Sequence, residues 1–261
     1  MDGERSISIF RRFFLSLLFL IATSPSWAVF ALVSNRADQG PLFGDAFTSG
    51  SLDTSGANLV VIFTHANNNS ITSLTDSKGN TITALTEIHT AGNNYLRLWY
   101  ITNPTVGSGH TVTISAPASD IYASMYIASF SGSNTSSPFD VQSVADSNNT
   151  NVTTQQPGSI TPTADDELVT SGGQSGLGTG HTISSVDSGM TQTNTISGAD
   201  FFSAAGSLAY IIQTTAGAIN PTWTAGTSNK MGAVIASFKA GAGGGAAAIQ
   251  NRILMRPIFL R

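Results

Sequence analysis

From Val33 onward, short apolar or alternating runs are separated by clusters of Gly, Asn, Asp, Ser and Pro, and no segment keeps a helical spacing for three turns. Runs of this kind predict β-strands joined by tight turns. The clearest predicted strands of the first part of the chain are Leu59–His65, Thr81–His89, Tyr95–Thr102, His110–Ala116 and Tyr122–Ser131. The pattern therefore predicts an all-β protein.

A repeated phrase divides the chain into two related halves. The strand Ala123–Gly132 has a near copy at Met231–Ala240, and both contain the run Ile-Ala-Ser-Phe. Further matches keep the same order at separations of 108 to 110 positions: Leu59 with Leu168, Leu98 with Leu208, Tyr100 with Tyr210 and Gly107 with Gly217. Two copies are too few for a solenoid. The repeat predicts an antiparallel two-sheet β-sandwich, jelly-roll-like, whose halves cover about 34–132 and 139–240.

The repeat leaves two architectures open. Either each half is a small sandwich of its own, or both halves share one two-sheet core. We favour the shared core, because about five strands per half would leave edges that the other half can cover. Phe130 and Phe238 then occupy equivalent buried sites. Between the halves, Phe139–Val144 is a predicted strand and Asp146–Gly158 a predicted surface loop.

The N-terminal segment predicts export. Residues 1–28 combine Arg11 and Arg12, an apolar run at Phe13–Ala22 and small residues before a cleavage point that leaves Val29 first. General secretion is favoured over the twin-arginine route, since the run is more apolar than that route prefers. Ten apolar residues are too few to span a bilayer, so no transmembrane span is expected in the mature chain. We expect a secreted or cell-surface protein, with the periplasm as an alternative.

The duplicated domain, 29–240, is followed by a Gly/Ala linker and an apolar, basic tail at 241–261. In the tail, Arg252, Arg256 and Arg261 alternate with two apolar triplets. The triplets are too short to span a membrane. The tail is therefore either a frayed end or a peptide for docking and self-assembly.

Charge and cysteine content exclude several classes of function. Between Ser34 and Ala240, five Lys and Arg stand against thirteen Asp and Glu, a net charge of −8. A body of this charge opposes nucleic-acid binding. The chain has no cysteine, so it contains neither disulfides nor a catalytic thiol.

No metal site or cofactor is expected from the pattern of possible ligands. The four histidines, His65, His89, His110 and His181, lie on separate predicted elements and are interpreted as structural. Asp76–Asn80 has the form of a tight turn in which Asp76 caps its own turn and Gly79 adopts a positive φ. A calcium loop is the weaker alternative, because the further spaced carboxylates of such loops are missing.

No catalytic residues are assigned. Gly173–Leu177 resembles a nucleophile elbow but lacks its last glycine and the helix that should follow. A glycosidase would need two carboxyl groups in one cleft, for which Glu87 with Asp187 or Asp200 are candidates. The acidic run Asp165–Glu167 is interpreted as a solvated turn.

Aromatic residues give the candidate ligand-binding positions. Strand alternation places Tyr95, Arg97 and Trp99 on one face, opposite Leu96, Leu98 and Tyr100, and the first set suits stacking on a sugar ring. The alternative is that Trp99 belongs to the core, which we favour. Trp223 is placed nearer a loop and is expected to be more exposed.

Three stretches carry a resemblance to a known type of module: Ser73–Thr81, the strand Ile127–Gly132 and the Pro-Phe-Asp turn within Ser136–Asp140. Together they resemble a duplicated β-sandwich module of secreted bacterial surface proteins and phage tail or fibre proteins, over roughly Val33–Ala240. The resemblance implies a non-enzymatic domain for binding, adhesion or assembly, with a glycan or protein surface ligand. The alternatives are a secreted carbohydrate-active enzyme, hydrolase or lyase, on a jelly-roll scaffold and a filament subunit.

Overall fold

The computed structural model describes residues 29–40, 46–90, 93–115, 122–198 and 204–242, and every regular element in these ranges is a β-strand. Within the same ranges, no helix has the length and apolar character that crossing a membrane requires. The expected signal peptide, Asp200 and residues 243–261 of the linker and tail lie outside the described residues.

The strands of the first half are β1 (Ala31–Gln39), β2 (Ala46–Thr48), β3 (Leu59–Asn67), β4 (Ser73–Asp76), β5 (Thr83–Thr90), β6 (Asn94–Thr102), β7 (Val112–Ser115) and β8 (Tyr122–Ser131). They form a five-stranded antiparallel sheet, ordered β1-β8-β3-β6-β5, and a three-stranded sheet, ordered β2-β7-β4. Five of these strands, β3, β5, β6, β7 and β8, match the five strands that alternation predicts, with ends that differ by at most two residues.

The strands of the second half are β9 (Phe139–Asp146), β10 (Val152–Gln155), β11 (Glu167–Leu177), β12 (Ile183–Val186), β13 (Thr191–Ile196), β14 (Ala204–Gln213), β15 (Trp223–Asn229) and β16 (Met231–Phe238). The large sheet has the order β9-β16-β11-β14-β13 and the small sheet β10-β15-β12. Counted from the start of each half, these orders are identical to those of the first half. The sequence repeat is therefore a repeat of topology.

The segment Asp146–Gly158, predicted as a surface loop, contains the strand β10. The polar composition of Val152–Gln155 gave no apolar alternation from which this strand could be predicted.

The four sheets are stacked as four layers, and one cluster of buried side chains lies between each pair of neighbouring layers. Within each half, the large and the small sheet enclose an apolar core of their own. A third core lies between the two large sheets and is shared by both halves; we call it the central interface. Both arrangements left open by the sequence are thus present together. Phe130 and Phe238 are fully buried in the central interface beside Ala128 and Ala236, as predicted.

An approximate twofold axis relates the halves across the central interface. The strand registers make Tyr100 equivalent to Tyr210 and Phe130 equivalent to Phe238. Tyr100 packs edge-on against Phe238 with ring centroids 5.5 Å apart, and Tyr210 packs edge-on against Phe130 at 5.3 Å. The same contact is therefore made twice.

The outer strands of the two large sheets meet each other. Gln142 of β9 accepts a hydrogen bond from the backbone N–H of Thr86 and donates one to its hydroxyl, at 3.0 and 2.9 Å. On the opposite side Asn194 of β13 donates to Asn35 of β1. Unpaired strand edges invite association with other chains. Here the side chains of the partner sheet engage those edges.

Candidate functional site

His89 and Tyr95 form a stacked pair of rings on the first half. They are directly opposed across β5 and β6, and their ring centroids are 4.2 Å apart with nearly parallel planes. His89 is exposed and Tyr95 is half-buried. The Nε2 atom of His89 lies 3.3 Å from Oδ1 of Asn93. We call this pair the ring platform; it combines apolar ring surface with a hydroxyl and an imidazole.

Arg97 and Glu87 lie on the next row of the same face. Their side chains form an ion pair at 3.2 Å, and each has a second bond. Arg97 Nη1 donates to the carbonyl of Ile71 at 3.2 Å, and Glu87 accepts from the hydroxyl of Ser70 at 2.6 Å. The Arg97 guanidinium also lies 5.0 Å from the centroid of the Trp99 ring. Arg97 and Glu87 therefore anchor the segment after β3 and supply a neutral, polar border to the ring platform.

The two tryptophans are buried, whereas Tyr95 and Arg97 are half-buried. Trp99 is 2% exposed, within the sandwich core of the first half, and its indole N–H donates to Thr64 Oγ1 at 2.9 Å. The core interpretation of Trp99 is confirmed. The expected exposure of Trp223 is wrong: it is 0% exposed and begins β15. Its indole donates to Ser171 Oγ at 2.9 Å.

Trp223 is buried because β15 directs it onto a glycine. A Cβ atom at Gly173 would lie 2.4 Å from the Trp223 ring, so the indole occupies the space that a side chain on β11 would take. The registers place Ala209 where the first half has Trp99, and Ile114 where the second half has Trp223. Each sandwich core thus contains one indole, supplied by the large sheet in one half and by the small sheet in the other.

His110 joins a buried chain of polar groups at the small sheet of the first half. Its Nε2 lies 2.8 Å from Asp76 Oδ2 and its Nδ1 lies 3.0 Å from Thr54 Oγ1. This sequence of groups is similar to a catalytic triad, but Thr54 is 1% exposed and its hydroxyl also bonds to the backbone of Gly107. The chain therefore ties together the turns of the small sheet.

The tight turn predicted at Asp76–Asn80 is confirmed. Asp76 Oδ1 accepts from the backbone N–H of Asn80 at 2.8 Å, and Gly79 has a φ of 72°. Burial would raise the pKa of Asp76, but hydrogen bonds from Asn80 and His110 outweigh it and hold the pKa below its ordinary value. Within the described ranges, no three His, Asp or Glu side chains are grouped so as to hold a metal ion.

The carboxylates proposed for glycoside cleavage have separate partners. Glu87 pairs with Arg97 on the first half, whereas Asp187 accepts from the backbone N–H of Thr222 at the small sheet of the second half. A different pair, Glu167 and Asp140, does meet. Burial is the main factor that raises the pKa of Glu167, and the charge of Asp140 adds to it.

Glu167 is 0% exposed, so the prediction that the whole run Asp165–Glu167 is a solvated turn is wrong at its last residue. Asp140 in turn pairs with Lys239 at 3.1 Å.

His89 was not identified as a functional candidate by the sequence analysis. The available signal was the β5–β6 hairpin, because pairing Thr90 with Asn94 across its turn sets His89 opposite Tyr95.

No protein-family model, no curated protein and no solved structure matches this chain.

Proposed function

We propose that this chain is a non-enzymatic, extracellular or cell-surface β-sandwich protein that binds a glycan or protein surface ligand through the ring platform. The observation that carries the proposal is the stack of His89 on Tyr95, one ring exposed and the other half-buried. Tyrosine supplies a rigid ring with a polar end, a combination that is enriched at binding surfaces. The ion pair of Arg97 with Glu87 holds this surface in place.

The comparison of the halves supports a dedicated binding role for this face. At the position equivalent to Tyr95 the second half has Ala205, which is 0% exposed. The ring platform is therefore an addition to the first half and is not required by the shared fold. The mutual cover of the large-sheet edges favours a binding module over a filament that would grow by pairing those edges.

Binding of the full chain to an array of glycans and extracellular proteins, followed by titration of the ligand found, tests the proposal. Tyr95→Ala and His89→Ala should each weaken binding at least tenfold, whereas the exposed control Thr215→Ala should leave it unchanged. Equal affinity of all three variants would contradict the role of the ring platform. N-terminal sequencing of exported protein tests the location; a mature chain that begins at Val29 is expected, and protein retained in the cytoplasm would contradict it.

A further inference from the structure

An open pocket of about 410 Å³ lies on the second half, between the outer strand β9 and the small sheet. Five polar residues line it: Thr154, Gln155, Gln156, Asn220 and Thr222. Ala145 and Gly158 supply the remaining, smaller surface. We call it the edge pocket; it is remote in sequence from the ring platform and belongs to the other half.

The first half shows why the edge pocket exists. The registers of β1 and β9 make Arg36 equivalent to Ser143 and Asp38 equivalent to Ala145. In the first half the Arg36 guanidinium donates two bonds to Asp38, and a Cβ atom at Gly50 would lie only 1.9 Å from it. An ion pair therefore fills the space in the first half that short side chains leave open in the second.

Several backbone features around the edge pocket recur in the first half, although the β10–β15 pairing has a register shift between Val152 and Thr154 that the β2–β7 pairing lacks. Gly50 and Gly158 precede equivalent bridges, Leu52 with His110 and Ile160 with Ile219. The hydroxyl pair Thr48 and Thr113, at 2.9 Å, corresponds to the bond of 3.1 Å that the Gln156 amide donates to the Thr222 hydroxyl. The replacement of the Arg36–Asp38 ion pair by Ser143 and Ala145 is therefore the main side-chain difference between the edge pocket and its counterpart.

The side chains that line the edge pocket are amides and hydroxyls without formal charge. The Gln156 amide also donates to the carbonyl of Asn220 at 3.2 Å, which fixes one side of the pocket.

We propose that the edge pocket binds a neutral carbohydrate unit. Amides and hydroxyls donate and accept hydrogen bonds, as sugar hydroxyls do. No charged side chain lines the pocket, so it lacks the arginine or lysine that anion sites use and the carboxylates that supply most of the charge in hard-cation sites. The volume lies within the range of about 300–1,000 Å³ that is usual for small-molecule sites. The site is independent of the ring platform and extends the proposed function to a second, separate ligand contact.

Titration of the full chain with neutral sugars (glucose, galactose, mannose, N-acetylglucosamine and their disaccharides) and with the charged sugars glucuronate and glucosamine, monitored by ligand-detected NMR, tests the proposal. At least one neutral sugar should half-saturate the protein at about 1 mM. The double variant Ser143→Arg with Ala145→Asp copies the ion pair of the first half into the pocket and should weaken this binding at least tenfold. Tyr95→Ala should leave the same binding unchanged.

Gln156→Ala and Asn220→Ala give a second measure should the double variant fail to fold, because they remove bonding groups without filling the pocket; each should weaken binding several-fold. The proposal is overturned by the absence of neutral-sugar binding, by binding of only charged sugars such as glucuronate or glucosamine, or by binding that persists in Gln156→Ala and Asn220→Ala. Sugar binding lost in Tyr95→Ala but kept in the pocket variants would overturn it while leaving the ring platform supported.

Discussion

The two ends of the central interface differ in whether equivalent positions of the two halves have side chains of the same size. At one end, the Tyr100–Phe238 and Phe130–Tyr210 contacts repeat each other, so both halves supply the same side chains. At the other end, the equivalent positions differ in size. Phe63 is equivalent to Gly172, and a Cβ atom on Gly172 would lie 2.4 Å from the Phe63 ring.

The difference in size extends over the neighbouring strands of this asymmetric end. Leu96 is equivalent to Gly206, and Ser124 to Gly232. A Cβ atom at Gly206 would lie 2.6 Å from the Tyr126 hydroxyl, and one at Gly232 would lie 2.9 Å from Leu96. The first half therefore supplies bulk and the second supplies glycine. Phe63 thus packs on its own counterpart, Gly172, and the glycine leaves the space that the ring occupies.

The largest effect is expected at the symmetric end. Phe130→Ala and Phe238→Ala each remove a fully buried ring from equivalent contacts and should each lower the free energy of unfolding by about 3–5 kcal/mol. Because the contacts are equivalent, the two losses should agree within about 1 kcal/mol. Urea unfolding of both variants measures them. Losses that differ by much more than about 1 kcal/mol would contradict the equivalence of the two contacts.

The asymmetric end should respond differently to an added methyl group. Gly172→Ala places a Cβ atom against the Phe63 ring and should cost about 1–3 kcal/mol through overpacking. In a Phe63→Ala background the same substitution should cost much less, since the ring that it meets is gone. A double-mutant cycle by urea unfolding measures this rescue. Additive losses would show that the two positions do not face each other.

A smaller effect concerns His65 and Gln174, which are also equivalent. Complete burial lowers the pKa of His65 to about 3. The unfolded chain binds a proton below its ordinary pKa of 6.5 while the folded chain does not, so stability should fall as the pH falls below 6.5. Between pH 6.5 and 5.5 the loss is about 1 kcal/mol. His65→Gln introduces the residue of the second half and should remove this loss of stability at low pH, measured by urea unfolding at pH 6.5 and 5.5. The same loss in His65→Gln as in the parent would show that His65 does not cause it.

The smallest effect on stability is expected from Glu167, which is equivalent to Asn58 of the first half. The pKa of Glu167 is raised by burial and by Asp140, so the folded chain keeps a proton that the unfolded chain loses above about pH 4.5. Stability should therefore fall as the pH rises through the raised pKa. Glu167→Gln restores a neutral amide and should remove that fall, measured as melting temperature against pH. A variant less stable at neutral pH would argue that the ionised form is favoured.

Alternation and the repeat predicted the strands that carry apolar side chains, together with the burial of Phe130 and Phe238. They could not place β10, because Val152–Gln155 contains one apolar residue and is held as a strand by pairing with β15. The four-layer arrangement was also beyond the pattern. Both faces of β3 are buried, and its continuous apolar run Leu59–Phe63 does not say which partner covers each face.

The candidate site was predictable in part. Alternation put Tyr95, Arg97 and Trp99 on one face, as the structure has them, but the depth of each side chain depends on how far the small sheet extends. The burial of Trp223 depends on Gly173, a contact between strands far apart in sequence. The edge pocket depends on the absence of an ion pair, which only the comparison of equivalent positions reveals.

The two halves are equivalent units joined through one shared interface, and we therefore expect them to unfold together. Each half has one tryptophan, Trp99 or Trp223, and the chain has a third at Trp27. In a Trp27→Phe background, Trp223→Phe leaves a reporter in the first half and Trp99→Phe leaves one in the second. Within each variant, urea unfolding followed by fluorescence and by far-ultraviolet circular dichroism should give coincident midpoints and slopes. A fluorescence transition separated from the circular-dichroism transition would contradict the shared interface.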